Sequence, residues 1–416
     1  MKIVLTSIGS RGDIGPFISI GKTLKDRGHN VLCVFPEQFR NLVEDLNIAF
    51  ASLGTEFIDN IYSKDGKVVM GKSGWNCKRI ISFFNYILEQ RKIDKELVSK
   101  QYQIIETEKP DRIVYNGKSA YPVIWELKNK GKTTWLISFP YMHYVKNHSH
   151  IAFAGNYGTI INKLSYLFVQ LIMVKAVFDA KKWLNITDKF SKKEVFNIFK
   201  CGKSIYAISP TLFPRSDKWQ KNIKVLGYQQ IIASNKWSPK DTLINFLNIH
   251  KKILFITFGS MVSNEPEKKT KIILEILEQN KIPAIINTSA GGFIKPNKYN
   301  SELIYFVTHI PYDWIFDKIY AVIHHGGSGT THMGLRYGCP TLIIPHITDQ
   351  FEWNNIIFNK GVGPKGINIE KITSKNLEYK VIDLFENQTY KEKAELIKRQ
   401  MSKESFTENL VNMILQ

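Results

Sequence analysis

The chain has 416 residues, 44% hydrophobic and 23% charged, a composition that builds packed cores and excludes disordered, collagen-like and small disulfide-rich classes. Lys and Arg outnumber Asp and Glu by 57 to 37, and the excess is uneven: residues 1–230 hold 35 basic and 19 acidic side chains, residues 231–416 hold 22 and 18. An anionic partner would be drawn to the first half.

Lys2–Ser7 reads as a buried first strand, and its apolar run, Ile3 to Leu5, is too short for the h-region of a signal peptide. It breaks at Gly9-Ser10-Arg11-Gly12-Asp13, and an amphipathic helix follows from about Gly15 to Arg27, ended by Gly28-His29. Val31–Phe35, Arg112–Tyr115 and Thr134–Ser138 read as further strands, so residues 1–208 form one doubly wound α/β domain. From Leu127 to Phe178 there is no Asp or Glu, while six lysines punctuate aromatic and aliphatic residues. Two readings stand: a buried loop and helix covering the first domain, or a greasy acceptor pocket or surface for anionic lipid. His143, His148 and His150 fall in this stretch and read as surface histidines, with base or acceptor contacts as the other reading. The longest uncharged apolar run, Leu164–Val174, is about half the ~20 residues of a membrane span, and the chain reads as soluble and cytoplasmic. Cys33, Cys77, Cys201 and Cys339 form no CxxC pair, so neither a zinc site nor a disulfide framework is expected.

Residues 209–241, rich in Pro, Lys, Ser and Trp, read as an interdomain linker. A second βαβ series occupies 242–390. It opens with Lys252–Phe258 and the turn Gly259-Ser260-Met261, then continues through helix Glu267–Gln279 and strands Pro283–Asn287, Leu303–Val307, Ala321–His324 and Thr341–Ile344. Two open α/β domains joined in this way leave a cleft between the carboxyl ends of their strands, where such sheets bind ligands.

Ala321–Met333 reads AVIHHGGSGTTHM. A buried strand runs into two histidines and a glycine-rich turn, and then a helix opens. Glycine lets backbone approach a ligand closely, and the free N–H groups of a helix N-terminus suit an anion such as a diphosphate. The next strand ends in Pro345-His346-Ile347-Thr348-Asp349-Gln350, which offers a carboxylate and an amide to sugar hydroxyls. His325 reads as structural, and Trp314 and Trp353 as packing residues.

The run from Pro311-Tyr312-Asp313-Trp314 through HHGGSGTTHMGLRYGCPTLIIPHITDQFEW to Gly361-Val362-Gly363-Pro364 resembles the donor signature of inverting, metal-independent nucleotide-sugar glycosyltransferases of the GT-B type. The likeness points to the UDP-glycosyltransferase superfamily, and within it to the sterol glucosyltransferase and antibiotic glycosyltransferase groups. SIGSRGDIGPFISIGKTLKDRGHNV at the N-terminus, SPTLFPRSDKW with VLGY, and FGSM resemble the same group. The fold implied is GT-B, two Rossmann-like domains facing each other across a cleft. The family's tail implies that segment 391–416, read as one helix from about Lys391 to Leu415, crosses back to the N-terminal domain.

The resemblance also implies roles. His324 would contact the donor diphosphate, beside Gly327, Ser328, Gly329 and Thr330, and Ser260 would lie on the phosphate side. His309 and Ile310 would hold the nucleobase, Asp349 and Gln350 the sugar. Ser10, Arg11 and Gly12 would approach the donor from the other domain. Asp13 stands where relatives carry a catalytic histidine or aspartate, and an inverting transfer needs such a group to take the acceptor hydroxyl's proton; the other reading is a helix N-cap or a structural partner of Arg11.

The expected function is transfer of a hexose, glucose from UDP-glucose foremost, to a hydroxyl of a lipophilic acceptor: a sterol, isoprenoid, polyketide or lipid. A dTDP-sugar is the other donor considered. No metal or resident cofactor is expected, since no DxD-like motif stands at a strand end. The basic first half predicts loose, salt-sensitive attachment to an anionic membrane. A catalytically silent relative that binds or activates a partner, and a sugar-nucleotide epimerase on the same architecture, are the alternatives. Nucleic acid is not expected, because no reading module is present.

Overall fold

In a computed structural model the described residues are 1–63, 65, 77–230, 237–261, 265–289 and 291–416; for 62, 77–84 and 348 the backbone alone is described. They form two compact α/β units. The first takes in the N-terminal half and, after a return of the chain, Ser405–Gln416; the second holds Ile232–Glu404.

The first unit has seven strands: β1 (Lys2–Thr6), β2 (Asn30–Phe35), β3 (Ala49–Ser52), β4 (Arg112–Tyr115), β5 (Thr133–Ile137), β6 (Ser204–Tyr206) and β7 (Ile223–Val225). All pairs are parallel, in the order β3-β2-β1-β4-β5-β6-β7. The second unit has β8 (Leu254–Thr257), β9 (Ala284–Asn287), β10 (Ile304–Val307), β11 (Ala321–His324) and β12 (Thr341–Ile343), again parallel, in the order β10-β9-β8-β11-β12. Helices cover both faces of a parallel sheet, so its central strands are continuous apolar runs rather than alternating ones. KIVLT and LFIT are such runs. In each sheet the strand order reverses once, between β1 and β4 and between β8 and β11. Open sheets of this kind bind ligands outside the carboxyl ends at that reversal.

The first core packs Ile3, Leu5, Ile14, Phe17 and Ile18 against β2, and the returning helix Thr407–Leu415 adds Leu410, Val411 and Ile414 to it. The second core sets Leu254, Ile256, Ile323 and Leu342 against the helices Pro266–Gln279 and Ser374–Glu386.

Several elements differ from the sequence reading. β3, β6 and β7 are additional strands of three or four residues. β7 lies in the stretch read as linker, where Phe213 and Trp219 are buried and Trp219 stacks on Tyr206 at 4.9 Å. The C-terminal segment is two helices, Gln388–Met401 in the second unit and Thr407–Leu415 in the first, rather than one. His143 and His150 are buried, not surface residues. Tyr206 Oη and the Phe199 carbonyl, at 2.8 and 3.1 Å, take both nitrogens of His143. The acid-free stretch ends in the helix Thr159–Trp183, long and apolar enough in composition to cross a membrane. That helix is buried on one face only.

Candidate active site

At the reversal point of the first unit, β1 runs through Ser7 and Ile8 into Gly9, and the helix Arg11–Asp26 begins after Ser10. Asp13 is the third residue of that helix, and its Oδ2 accepts from the Ser10 amide at 2.9 Å and the Ser10 hydroxyl at 3.4 Å. Lys118 Nζ lies 3.4 Å from the same oxygen. Three donors on one oxygen hold the carboxylate in a single orientation, and it stays partly exposed. Gly9 is required here: φ is +147°, and a Cβ would fall 2.2 Å from Asp13 Oδ2. Arg11 and Gly12 are exposed in the first helical turn.

A buried polar network underlies this turn. Asn116, just after β4, donates from Nδ2 to the Ile8 carbonyl at 2.7 Å, and its Oδ1 accepts from the Ser119 hydroxyl at 3.1 Å. Gln101 Nε2 donates to Ser119 Oγ and to Thr6 Oγ1. The loops after β1 and β4 are thereby tied together, which brings Lys118 to Asp13. The sequence reading missed Lys118. Its signal was positional: it follows β4 as Asp13 follows β1, and Rossmann order makes those strands neighbours.

In the second unit the ends of β8, β11 and β12 converge. His324, the last residue of β11, is fully buried. Its Nδ1 accepts from the Gly326 amide at 3.0 Å, so the ring proton of the neutral form resides on Nε2. That Nε2 is buried and has no hydrogen-bond partner among the described residues. Burial pushes the His324 pKa down to about 3, so the ring is neutral at physiological pH. It is a donor without an acceptor.

Glycines shape the surrounding turn. A Cβ on Gly259 would meet the His325 ring at 2.9 Å, and one on Gly327 would meet it at 2.5 Å. His325 is therefore wedged between two glycine turns, in keeping with a structural role. Gly326 has φ +96°, and a Cβ there would contact Ile343 at 2.7 Å and Gln350 at 3.1 Å. The helix Ser328–Arg336 follows, and the amides of its first residues lie outside the helical ladder. Ser328 and Thr330 are buried there, Gly327 and Gly329 half-buried.

Ser260 lies one residue past Gly259, whose amide donates to Thr257 Oγ1. His309 is exposed and Ile310 buried in the loop after β10. The chain then returns toward β8, where Tyr312 Oη and Thr257 Oγ1 are 3.1 Å apart. Asp349 is half-buried and Gln350 buried in the first turn of the helix Thr348–Lys360. Gln350 Oε1 accepts from the His346 and Ile347 amides at 2.7 and 3.1 Å. Its oxygen thus fixes the loop, and only its NH2 group is left for a ligand. Trp353 is fully buried, as a packing residue is. His346 is an addition: its ring packs on Phe258 at 4.7 Å, and burial lowers its pKa to about 4. Among the described residues no group of three or more His, Cys, Asp or Glu could hold a metal.

Residues 3–136 match the model of the glycosyltransferase family 28 N-terminal domain, and residues 301–415 match that of the erythromycin biosynthesis protein CIII-like C-terminal domain. A sterol 3-beta-glucosyltransferase of Arabidopsis thaliana is 28% identical over 434 residues, covering 97% of this chain and 63% of the plant protein. The sterol 3-beta-glucosyltransferase of Kluyveromyces lactis is 28% identical over 97% of this chain and 33% of its own. The chain thus spans less than two thirds of the length of these relatives. Among solved structures, the glycotransferase of kitacinnamycin gives a TM-score of 0.71 at 14% identity, covering 100% of this chain and 99% of that one. The calicheamicin glycosyltransferase gives 0.69 at 12%, covering 99% and 97%. Two parallel-sheet units with these neighbours define the GT-B class of fold. Within that class, the chain is similar to sterol 3-beta-glucosyltransferases along nearly its whole length and to the glycosyltransferase family 28 N-terminal domain over residues 3–136.

Proposed function

We propose that this chain moves a hexose from a nucleoside diphosphate sugar to the hydroxyl of a lipophilic acceptor, with inversion at the anomeric carbon and without a metal ion. UDP-glucose is the foremost donor and a sterol the foremost acceptor. The sterol is supported by the two relatives named above, both sterol 3-beta-glucosyltransferases. Because the acceptor is a lipid, the reading includes peripheral contact with the membrane that holds it.

The observation that carries the reading is His324, a buried neutral donor without a partner among the described residues, beside a glycine-rich helix N-terminus at the reversal point of its sheet. A diphosphate oxygen is the acceptor such a group lacks, and the helix amides add to its pull on negative charge. In the transfer, the acceptor oxygen bonds to the anomeric carbon, its proton passes to the Asp13 carboxylate, and the bond to the diphosphate breaks. Charge growing on the leaving diphosphate is met by the His324 Nε2–H and by the amides that open the helix at Ser328. Asp349 and the Gln350 NH2 group take sugar hydroxyls. His309 and Ile310 flank the base, Ser260 lies on the phosphate side, and Ser10, Arg11 and Gly12 approach the donor.

Thermal shift and turnover with UDP-glucose and dTDP-glucose, in the presence of cholesterol, test this on the wild type and Asp13→Asn. The asparagine can still accept from the Ser10 amide. One donor is expected to stabilise both proteins, while turnover falls roughly 10²–10⁴-fold in the variant. Stabilisation of neither protein by any nucleotide would favour a silent relative.

A further inference from the structure

We propose that the outward face of the helix Thr159–Trp183 is an interfacial anchor. In this arrangement it lies in the plane of an anionic lipid leaflet, its apolar side chains among the upper acyl chains and its lysines at the headgroups. This deepens the membrane part of the reading above. Ile160, Leu164, Leu167, Phe168, Leu171 and Ile172 are between 42% and 75% exposed. The spacing 160, 164, 167, 171 is one face of a helix, and the stripe runs for ~18 Å at 1.5 Å per residue. A contiguous apolar surface of this kind marks an interaction site. Phe153, also exposed, packs edge-on against Phe168 at 6.1 Å, and exposed Tyr157 stands at the helix entry. Rings of this type favour the membrane interface.

The opposite face shows why the helix lies on a bilayer rather than through one. Asn162, Ser165, Tyr166, Val174, Val177 and Ala180 are buried against the first unit. The Tyr157 amide donates to Asn162 Oδ1 at 2.9 Å, the His150 amide to Ser165 Oγ at 2.8 Å, and Tyr166 Oη to the Ser149 carbonyl at 3.1 Å. A spanning orientation would break these bonds and strip out the buried face.

Charge selects the occupant. No carboxylate occurs from Leu127 to Phe178, Lys163 is exposed beside the stripe, and Lys146 is exposed in the loop that precedes the helix. Lys175, at its end, is exposed and paired with Asp179 at 2.5 Å. A second copy docked through this face would oppose lysine to lysine, whereas anionic headgroups neutralise them while the chains below take the apolar residues.

Vesicle flotation without any sugar donor tests the anchor, so a failed donor site leaves the result readable. Vesicles are phosphatidylcholine alone, or with roughly a third phosphatidylglycerol, at about 0.1 and 0.5 M NaCl. The wild type is expected to float with the anionic vesicles and to keep part of that binding at the higher salt. Leu167→Glu/Leu171→Glu is expected to lose about tenfold or more in partitioning and all binding at the higher salt. Both positions are exposed, so its thermal midpoint should match the wild type. Lys163→Gln should bind more weakly than the wild type at the lower salt and equal it at the higher. The proposal is overturned if the leucine variant floats like the wild type, or if the wild type floats with neither vesicle. It is equally overturned if sedimentation shows a dimer that the leucine variant splits while vesicle binding is unchanged.

Discussion

A histidine that must donate without titrating needs a partner that fixes its tautomer and surroundings that keep it neutral. His324 has the Gly326 amide for the first and complete burial for the second. Because Nε2 has no partner among the described residues, its hydrogen bond is still to be made, and making it with a charged oxygen contributes ~1.5–3 kcal/mol. His324→Ala is therefore expected to weaken UDP binding by roughly 10–100-fold, read by titration calorimetry; an unchanged affinity would remove His324 from the diphosphate site. The run from His324 to Thr330 was legible because its residues are consecutive. Lys118 was not, since its partner Asp13 is 105 residues away and only strand order makes them neighbours.

Among the elements, the turn from β1 into its helix is where backbone geometry and chemistry meet. Gly9→Ala would force a left-handed φ on alanine and drive its Cβ into the Asp13 carboxylate. Gly28 ends the same helix at φ +82° with nothing within 4 Å of a built Cβ, so Gly28→Ala meets backbone strain alone, ~1 kcal/mol. Both variants are expected to lower the thermal midpoint, but only Gly9→Ala should also cost turnover, by about tenfold or more. Equal turnover in the two would detach the carboxylate's placement from catalysis. The longer strands were readable in chain order because burial on both faces leaves them apolar throughout. β3, β6 and β7, such as SIY and IKV, are too short to stand out from surrounding sequence, and neighbouring strands already in place recruit them.

For the whole molecule, buried histidines make stability depend on pH. Burial lowers His143, His150, His332 and His346 to about 4 and His324 to about 3, against 6.5 in an unfolded chain. Between pH 6.5 and 4 the unfolded state therefore binds more protons, so folding stability falls as pH drops through that window and is unaffected by these groups above it. A pKa lowered from 6.5 to about 4 corresponds to roughly 3 kcal/mol. Urea unfolding from pH 8 to pH 5 should show a midpoint that is flat above about 6.5 and falls below it. A midpoint constant down to pH 5 would mean these rings are reached by solvent.

Residue order alone determined the two βαβ series, the glycine-rich turns and the composition of the His324–Thr330 run, because each depends on local pattern: apolar runs, helical period and positions that need glycine. Tertiary structure decided the rest. It brought Lys118 to Asp13 through adjacent strands, and it engaged the Gln350 oxygen in its own loop. It also placed Thr407–Leu415 in the first core and left one face of Thr159–Trp183 uncovered. A contact between distant residues, or its absence over an apolar face, depends on how sheets and helices stack in space, and no local pattern carries that.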